Sequence, residues 1–190
     1  MKIDRSKFFD GIRGTIHHGH LSQEQVESYD AILDAAEAYP ITDIRQVAYI
    51  LATARGEVGI GMQPVREIGK GKGRPYGKPE SNGLTYYGRG FVQLTWGRNY
   101  EVMSKRLGVN LYSHPDLALD RAIAAKVLVV GMAEGLFTGR KLSNFIASTM
   151  TNFEDARRII NGVDRASEFA GIARQYHAAL SAALVKDTPA

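Results

Sequence analysis

The chain has no cysteine among its 190 residues. It can therefore form no disulfide, no thiol nucleophile and no zinc site built on thiolates. Long apolar runs are also missing: the most apolar segment, residues 122–133, is interrupted by Lys126 and is too short to cross a bilayer. No apolar stretch typical of a signal peptide follows the charged residues 1–7. We expect a soluble protein without stable membrane insertion, not exported by the usual route.

Positive charge is in slight excess, with 24 Lys and Arg against 20 Asp and Glu, a net charge of +4. This excess favours approach to polyanions such as nucleic acid, anionic lipid or bacterial cell wall. The basic residues are spread through the chain apart from residues 70–74, so we expect no nucleic-acid partner. A chain of this length can bury roughly 70% of its unfolded surface. We predict a single domain over residues 1–190, with at most a small helical subdomain, and a monomer.

Helical patterns dominate the sequence. Ser22 and Gln25 form a capping box that opens an apolar pattern at helical spacing, which Pro40 stops. A second helix opens at Thr42 and Asp43 and runs to Gly56, which places Glu57 at or just beyond its end. Further helices are predicted at residues 100–107, 121–134, 141–146, 154–160 and 166–184, with a second capping box from Thr151 to Glu154.

Residues 58–85 lack this periodicity and are rich in Gly, Pro and Lys. A compact domain seldom keeps so long a loop without using it, and long ordered loops often bind ligands. The sequence predicts a mainly α fold, with a small irregular or β-hairpin region between residues 58 and 93 that lines a substrate groove.

Glu57 and Glu67 are candidates for acid and base chemistry. Hydrolysis of a glycosidic bond needs one protonated carboxylic acid and one ionised carboxylate. Glu57 follows an apolar stripe, where partial desolvation favours the protonated form. Glu67 is next to Arg66 and near Lys70, which favours the ionised form. The alternative is that both are ordinary surface glutamates.

The run from Tyr86 to Tyr100 is typical of a groove floor. Its glycines surround aromatic rings that can stack on sugars, while Gln93, Thr95 and Asn99 offer hydrogen bonds. The alternative is a hairpin that leads into a helix capped by Thr95.

The part of this run from Tyr86 to Trp96, with Asn99 and Tyr100 after it, resembles the signature of glycoside hydrolase family 19, the chitinase-type enzymes. Segments elsewhere resemble the phage and prophage endolysins of that family: residues 62–67, 73–79, 115–119 and 157–162. The resemblance covers about residues 8–180 and implies a lysozyme-like α+β fold.

The resemblance also implies roles for individual residues. Glu57 matches the general acid and Glu67 the general base of an inverting reaction, which implies carboxylates roughly 6.5 to 9.5 Å apart. Thr95 matches a hydroxyl that helps to hold the attacking water. The predicted sugar-binding residues, most of them in the aromatic run, are Tyr87, Arg89, Gln93, Asn99 and Asn161. The family commonly has His before the acid and Thr after it, whereas this chain has Gly56 and Val58.

Two other motifs resemble a metal site and a phosphate-binding loop, but neither has the full pattern. His17, His18 and His20 suggest a metal site, but no cysteine exists and no carboxylate partner is evident nearby, so a solvated turn between helices is expected. Residues 69–74 suggest a phosphate loop but fail the Walker pattern. They fit a basic lid beside the groove, able to meet peptide carboxylates of a cell wall, or a plain solvated loop. We predict neither a metal nor a cofactor.

The leading hypothesis is a muramidase-like endolysin that cleaves the β-1,4 bonds of peptidoglycan glycan strands. Such enzymes accumulate in the host cytoplasm and reach the periplasm and wall after a holin opens the membrane. Three alternatives remain open: a chitinase acting on chitin, a toxin-like effector of the cell wall, and a non-catalytic glycan-binding protein with a decayed acid site.

Overall fold

The computed structural model describes residues 1–185. Within this range the chain forms six α-helices and four two-residue strands, which confirms the predicted mainly α fold. Their bounds are α1 Arg5–Thr15, α2 Gln23–Ala38, α3 Ile44–Val58, β1 Val65–Arg66, β2 Arg89–Gly90, α4 Gly97–Leu107, α5 Arg121–Glu134, β3 Ile146–Ala147, β4 Met150–Thr151 and α6 Ala166–Ala183. None of the helices in this range is long and apolar enough to span a membrane.

Helix α3 lies at the centre of the core. All of its residues from Val47 to Ala54 are buried, since its apolar side chains point in every direction over two turns. It packs most extensively on α6, while α1 packs on α6 and α2 packs on α5. The carboxyl end of α3 carries Glu57 and contacts the first turns of α6 through Gly56 and Phe169.

Several predicted elements are confirmed. Ser22 and Gln25 form the expected capping box at the start of α2. Helix α5 has the predicted bounds, since Asp120 accepts a hydrogen bond from the Ile123 backbone and Gly135 ends the helix in a left-handed conformation. The last helix, α6, ends within one residue of its predicted end.

Other predicted elements are wrong. Residues 141–146 and 154–160 are not α-helices but contain the short 3-10 helices Leu142–Asn144 and Asp155–Ile159. Thr151 lies in β4 rather than in a capping box, and the side chain of Asn152 accepts the bond from the Asp155 backbone. Helix α1 has no counterpart among the predicted helices.

The glycine-rich region contains the expected small hairpin-like pairing. Strands β1 and β2 are antiparallel, with Arg66 opposite Arg89. Helix α4 then begins at Gly97, and Thr95 does not cap it: the Gly97 backbone donates instead to Glu80 Oε1 at 3.2 Å. This ladder and the start of α4 hold the candidate site.

The histidine turn is only partly solvated. His18 and His20 are exposed, but His17 is 3% exposed, which corrects the expectation for that residue. Its Nε2 lies 2.8 Å from the Tyr29 hydroxyl, which in turn contacts the Tyr176 hydroxyl. Among residues 1–185 no group of three or more His, Cys, Asp or Glu side chains could hold a metal ion.

Candidate active site

Glu57 lies inside the last turn of α3 and is paired with a buried arginine. Its Oε1 is 2.7 Å from Nη1 of Arg157, and the two side chains are 18% and 5% exposed. Neither atom satisfies the angular requirement of a hydrogen bond, so the contact is a close ion pair rather than an aligned bond. The expected apolar surroundings of Glu57 are therefore wrong in one respect, since a cation lies against its carboxylate.

Arg157 is held in place by packing on an aromatic ring. It belongs to the 3-10 helix Asp155–Ile159, and its Cζ lies 4.2 Å from the centroid of the Phe169 ring. Its Nε donates to the carbonyl of Asp164 at 3.2 Å. These contacts fix the guanidinium, and thereby the carboxylate that it pairs with.

Phe169 also explains the glycine that precedes the candidate acid. A Cβ at Gly56 would lie 2.3 Å from two carbons of the Phe169 ring, far inside van der Waals contact. The ring fills the space that a side chain at position 56 would need, so the His of the family pattern would collide with Phe169 as it stands here. Glycine at this position is required by packing.

Glu67 directly follows β1, and both of its carboxylate oxygens accept hydrogen bonds. Oε1 accepts from the Tyr76 hydroxyl at 2.9 Å, and Oε2 accepts from the Gly88 backbone at 3.0 Å. Burial, followed by the bond to Glu67, raises the pKa of Tyr76 above its ordinary value. Arg66, the neighbour expected to favour the ionised form of Glu67, pairs with Asp116 at 2.9 Å.

Gln93, Thr95 and Asn99 line one small cleft of ≈ 110 Å³, together with Phe137 and Ile160. Gln93 has a backbone φ of 53° and donates to the carbonyls of Val65 and Gly90 at 3.1 and 3.2 Å. Asn99 donates to the Thr95 carbonyl at 2.9 Å. These amides are thus oriented by the backbone before any ligand binds.

Neither carboxylate lines this cleft, but the partner of each lies next to a cleft residue. On one side, the side chain of Gln93 lies against Gly88, whose N–H donates to Glu67. On the other, Arg157 pairs with Glu57 and belongs to the short helix that ends next to Ile160 in the cleft wall. The exposed Asn161 follows Ile160, and its side chain accepts a bond from Gly162.

Tyr87 and Arg89 face a second cleft. Both are buried, with Arg89 3% exposed and its Cζ 3.6 Å above the Tyr87 ring. Nε of Arg89 donates to Asp116 at 2.7 Å, and Nη1 donates to the Thr85 and Tyr87 carbonyls and to the Tyr100 hydroxyl. Arg89 therefore stabilises the turn around β2, and its role in binding sugar stays a prediction.

Sequence reasoning missed three residues of the site: Arg157, Tyr76 and Trp96. Arg157 and Tyr76 lie in segments that carry the family resemblance, which was the available signal. Trp96 is 45% exposed, and its ring centroid lies 5.4 Å from that of Tyr76, beside the candidate base. A half-exposed indole in the aromatic run offers a surface on which a sugar can stack.

A mainly helical fold with two oriented carboxyl groups, amides and an exposed aromatic surface defines a chain of the lysozyme-like class. Comparison with known proteins narrows this class. The family model described as chitinase class I, of glycoside hydrolase family 19, matches residues 53–133. This range includes Glu57, Glu67, Gln93, Thr95 and Asn99 and ends before Arg157 and Asn161.

Two plant proteins are among the sequence relatives. The chain is 33% identical over 123 residues to an endochitinase of Carica papaya, which covers 52% of this chain and 51% of that protein. It is 44% identical over 52 residues to the inactive chitinase-like protein 1 of Hevea brasiliensis, 27% of this chain and 17% of that one. The chain thus spans about half of the length of these relatives or less.

Solved structures share the fold. Chitinase C from Streptomyces griseus HUT6037 matches with a TM-score of 0.64 and 22% identity, over 94% of this chain and 76% of that one. A bacterial family 19 chitinase matches with a TM-score of 0.59 and 21% identity, over 94% of both chains. The family model thus shows a similarity over residues 53–133, and the solved structures show that the chain has the same fold as these chitinases.

Proposed function

We propose that the protein is an inverting glycosidase that hydrolyses the β-1,4 bonds of bacterial cell-wall glycan. The observation that carries this proposal is that the partners of both carboxylates lie next to residues of one cleft: Gly88, which donates to Glu67, is against Gln93, and Arg157, which pairs with Glu57, is in the short helix that precedes Ile160. Two carboxyl groups near a sugar-binding cleft are the machinery that glycosidic hydrolysis requires.

The residues divide the chemistry between them. Glu57 gives its proton to the leaving oxygen as the bond from the anomeric carbon breaks, and Glu67 takes a proton from the water that attacks the opposite face of the sugar. The Thr95 hydroxyl helps to hold that water. Arg157 lies against the carboxylate that Glu57 becomes after it has lost its proton, and so stabilises the product of the transfer.

A turbidity assay tests the proposal. Gram-negative cells stripped of their outer membrane should lose turbidity with the wild-type protein and not with the Glu57→Gln variant. Mass spectrometry of the digest should show new reducing ends on N-acetylmuramic acid, with the stem peptides still attached to the sugar. Flat turbidity with folded wild-type protein would reject a wall hydrolase.

Two other functions have specific support. The endochitinases among the plant relatives favour a chitinase, for which reducing ends should appear on colloidal chitin at least as fast as on peptidoglycan. The inactive Hevea relative and the Gly56 and Val58 flanks favour a glycan-binding protein without activity. Such a protein would sediment with the wall and leave both substrates intact.

We further propose an endolysin setting. The protein would accumulate in the host cytoplasm, pass the inner membrane after a holin opens it, and act on peptidoglycan as a monomer. Coexpression with a holin should cause lysis, whereas expression of the protein alone should leave the cells intact. Lysis without a holin would point to a different route to the wall.

A further inference from the structure

A cleft of ≈ 680 Å³ lies beside the β1–β2 ladder, separate from the cleft of Gln93 and Thr95. Its wall combines cationic and apolar side chains, among them Arg66, Lys70, Leu84, Tyr87 and Leu117. The volume exceeds that of a single ion and is in the range of a small organic ligand.

The positive charge of this cleft is only partly balanced. Asp116 is its one acidic residue, and its two oxygens lie 2.7 Å from Arg89 Nε and 2.9 Å from Arg66 Nη2. Burial raises the pKa of Asp116, but the bonds from Arg89 and Arg66 outweigh it and hold the pKa below its ordinary value. Lys70 is exposed and makes no ion pair within residues 1–185. Its ammonium, and the remaining donors of the 44% exposed Arg66, are therefore open to an added anion.

The side chains that line the cleft favour a ligand in which a carboxylate is attached to an aliphatic group. Asp116 already shows that a carboxylate fits between the guanidinium groups of this wall. Leu84, Pro115 and Leu117 provide apolar contact beside the cations, and Leu117 is 38% exposed. A short acidic peptide combines both features.

The cleft directly adjoins the candidate base. Arg66 precedes Glu67 in the chain, and Gly88, which donates to Glu67, lies between the cleft residues Tyr87 and Arg89. We propose that this cleft binds the carboxylates of short acidic peptides attached to the glycan, so that the protein recognises peptide-bearing sugar chains. This inference rests on the proposed function and gives it a preference for peptidoglycan over chitin.

Direct binding tests the cleft without relying on activity. Nuclear magnetic resonance titration with a synthetic acidic tetrapeptide should shift the backbone amides of Leu84, Thr85 and Leu117, and added salt should weaken the binding. The same peptide with its carboxylates amidated should bind about fivefold more weakly, as expected for the loss of an exposed charge pair. Equal binding of the amidated peptide, equally strong competition by inorganic phosphate, or shifts elsewhere only would overturn the proposal.

Two matched variants locate the effect. Lys70→Glu and Lys72→Glu make the same charge change in the same loop, but only Lys70 lines the cleft. Lys70→Glu should weaken peptide binding about threefold to fivefold more than Lys72→Glu. Equal losses of affinity would mean that binding depends on the net charge of the protein, and would overturn the assignment of peptide binding to this cleft. Peptide binding without glycan hydrolysis would support the proposed peptide-binding cleft and reject the proposed glycosidase activity. Hydrolysis without peptide binding would do the reverse.

Discussion

The guanidinium of Arg157 lies 2.7 Å from the carboxylate of Glu57, although the two residues are far apart in the sequence. One comes from the central helix α3 and the other from a short 3-10 helix. Both residues are positioned by Phe169 of α6. The Arg157 guanidinium packs on the Phe169 ring, and Gly56, which precedes Glu57, also packs against it. The position of the candidate acid therefore depends on three separate elements packed together.

The first prediction concerns this pair. Arg157→Ala should lower the free energy of unfolding by about 2 to 4 kcal/mol. It leaves the half-buried carboxylate of Glu57 without its cation and removes the guanidinium that packs on the Phe169 ring. It should also lower kcat about tenfold or more, since Glu57 loses its fixed position. Urea unfolding and kinetics on soluble glycan measure the two effects.

The neighbouring residue provides the control. Arg158 is 51% exposed and, among residues 1–185, forms an ion pair only with Asp155, so Arg158→Ala should change stability by less than about 0.5 kcal/mol. The loss of stability in Arg157→Lys should lie between those of Arg157→Ala and Arg158→Ala, since lysine keeps the charge and lacks the flat stacking group. Full kcat in Arg157→Ala would show that the pair does not orient the acid.

The second prediction concerns the glycine before the acid. Gly56→Ala places a Cβ 2.3 Å from the Phe169 ring carbons, so one of the packed elements must shift. We expect a loss of about 1 to 3 kcal/mol and a lower melting temperature. Gly171→Ala in α6 is the control, because nothing lies within 4 Å of its Cβ. That variant should be neutral or stabilised by up to about 1 kcal/mol, and equal melting temperatures for both variants would contradict the packing argument.

Local patterns account for what the sequence predicts well. Helices α2 and α5 have caps and apolar spacing within their own residues, so they are visible without tertiary contacts. The segments 141–146 and 154–160 have helical composition but are too short, and packing tightens them into 3-10 turns. Helix α1 has glycines at positions 11 and 14, which weaken the pattern, and it is stabilised by packing on α6.

The candidate site divides in the same way. Glu57, Glu67, Gln93, Thr95 and Asn99 lie in one stretch whose residue types indicate sugar chemistry. The partner of Glu57 lies in a different element and the partner of Glu67 is a tyrosine across a loop, so neither follows from spacing along the chain. Pairings of this kind are set by tertiary packing, and the surroundings of both carboxyl groups therefore differ from those expected.

The third prediction concerns the two carboxyl groups. Glu57→Gln and Glu67→Gln should each lower kcat by at least about a hundredfold, because an amide can neither give nor take the proton. Both variants should keep the circular dichroism of the wild type. Glu101→Gln is the control, since Glu101 is 52% exposed on α4 and pairs with Lys105. Near-normal activity of either site variant would remove that residue from the mechanism.

The product of the wild-type reaction gives an independent check of the same mechanism. Attack by water on the face opposite the leaving group inverts the anomeric carbon. Proton spectra recorded early in the digestion of a soluble oligosaccharide should therefore show the α anomer first. A β anomer at early times would indicate a covalent intermediate and carboxylates about 5 Å apart.

The last prediction concerns acid stability and the buried His17. Desolvation by burial, followed by the charge of Arg55, lowers the pKa of His17 from 6.5 to about 4 in the folded protein. Between these values the unfolded chain binds a proton that the folded chain does not, so stability falls as the pH drops from about 6.5 to 4, by at most about 3 kcal/mol. Urea unfolding at several pH values measures this slope. His17→Gln should flatten it, because the group that titrates is gone, whereas His20→Gln changes an exposed ring and should leave the slope unchanged. The same slope in His17→Gln as in the wild type would assign the acid sensitivity to other groups.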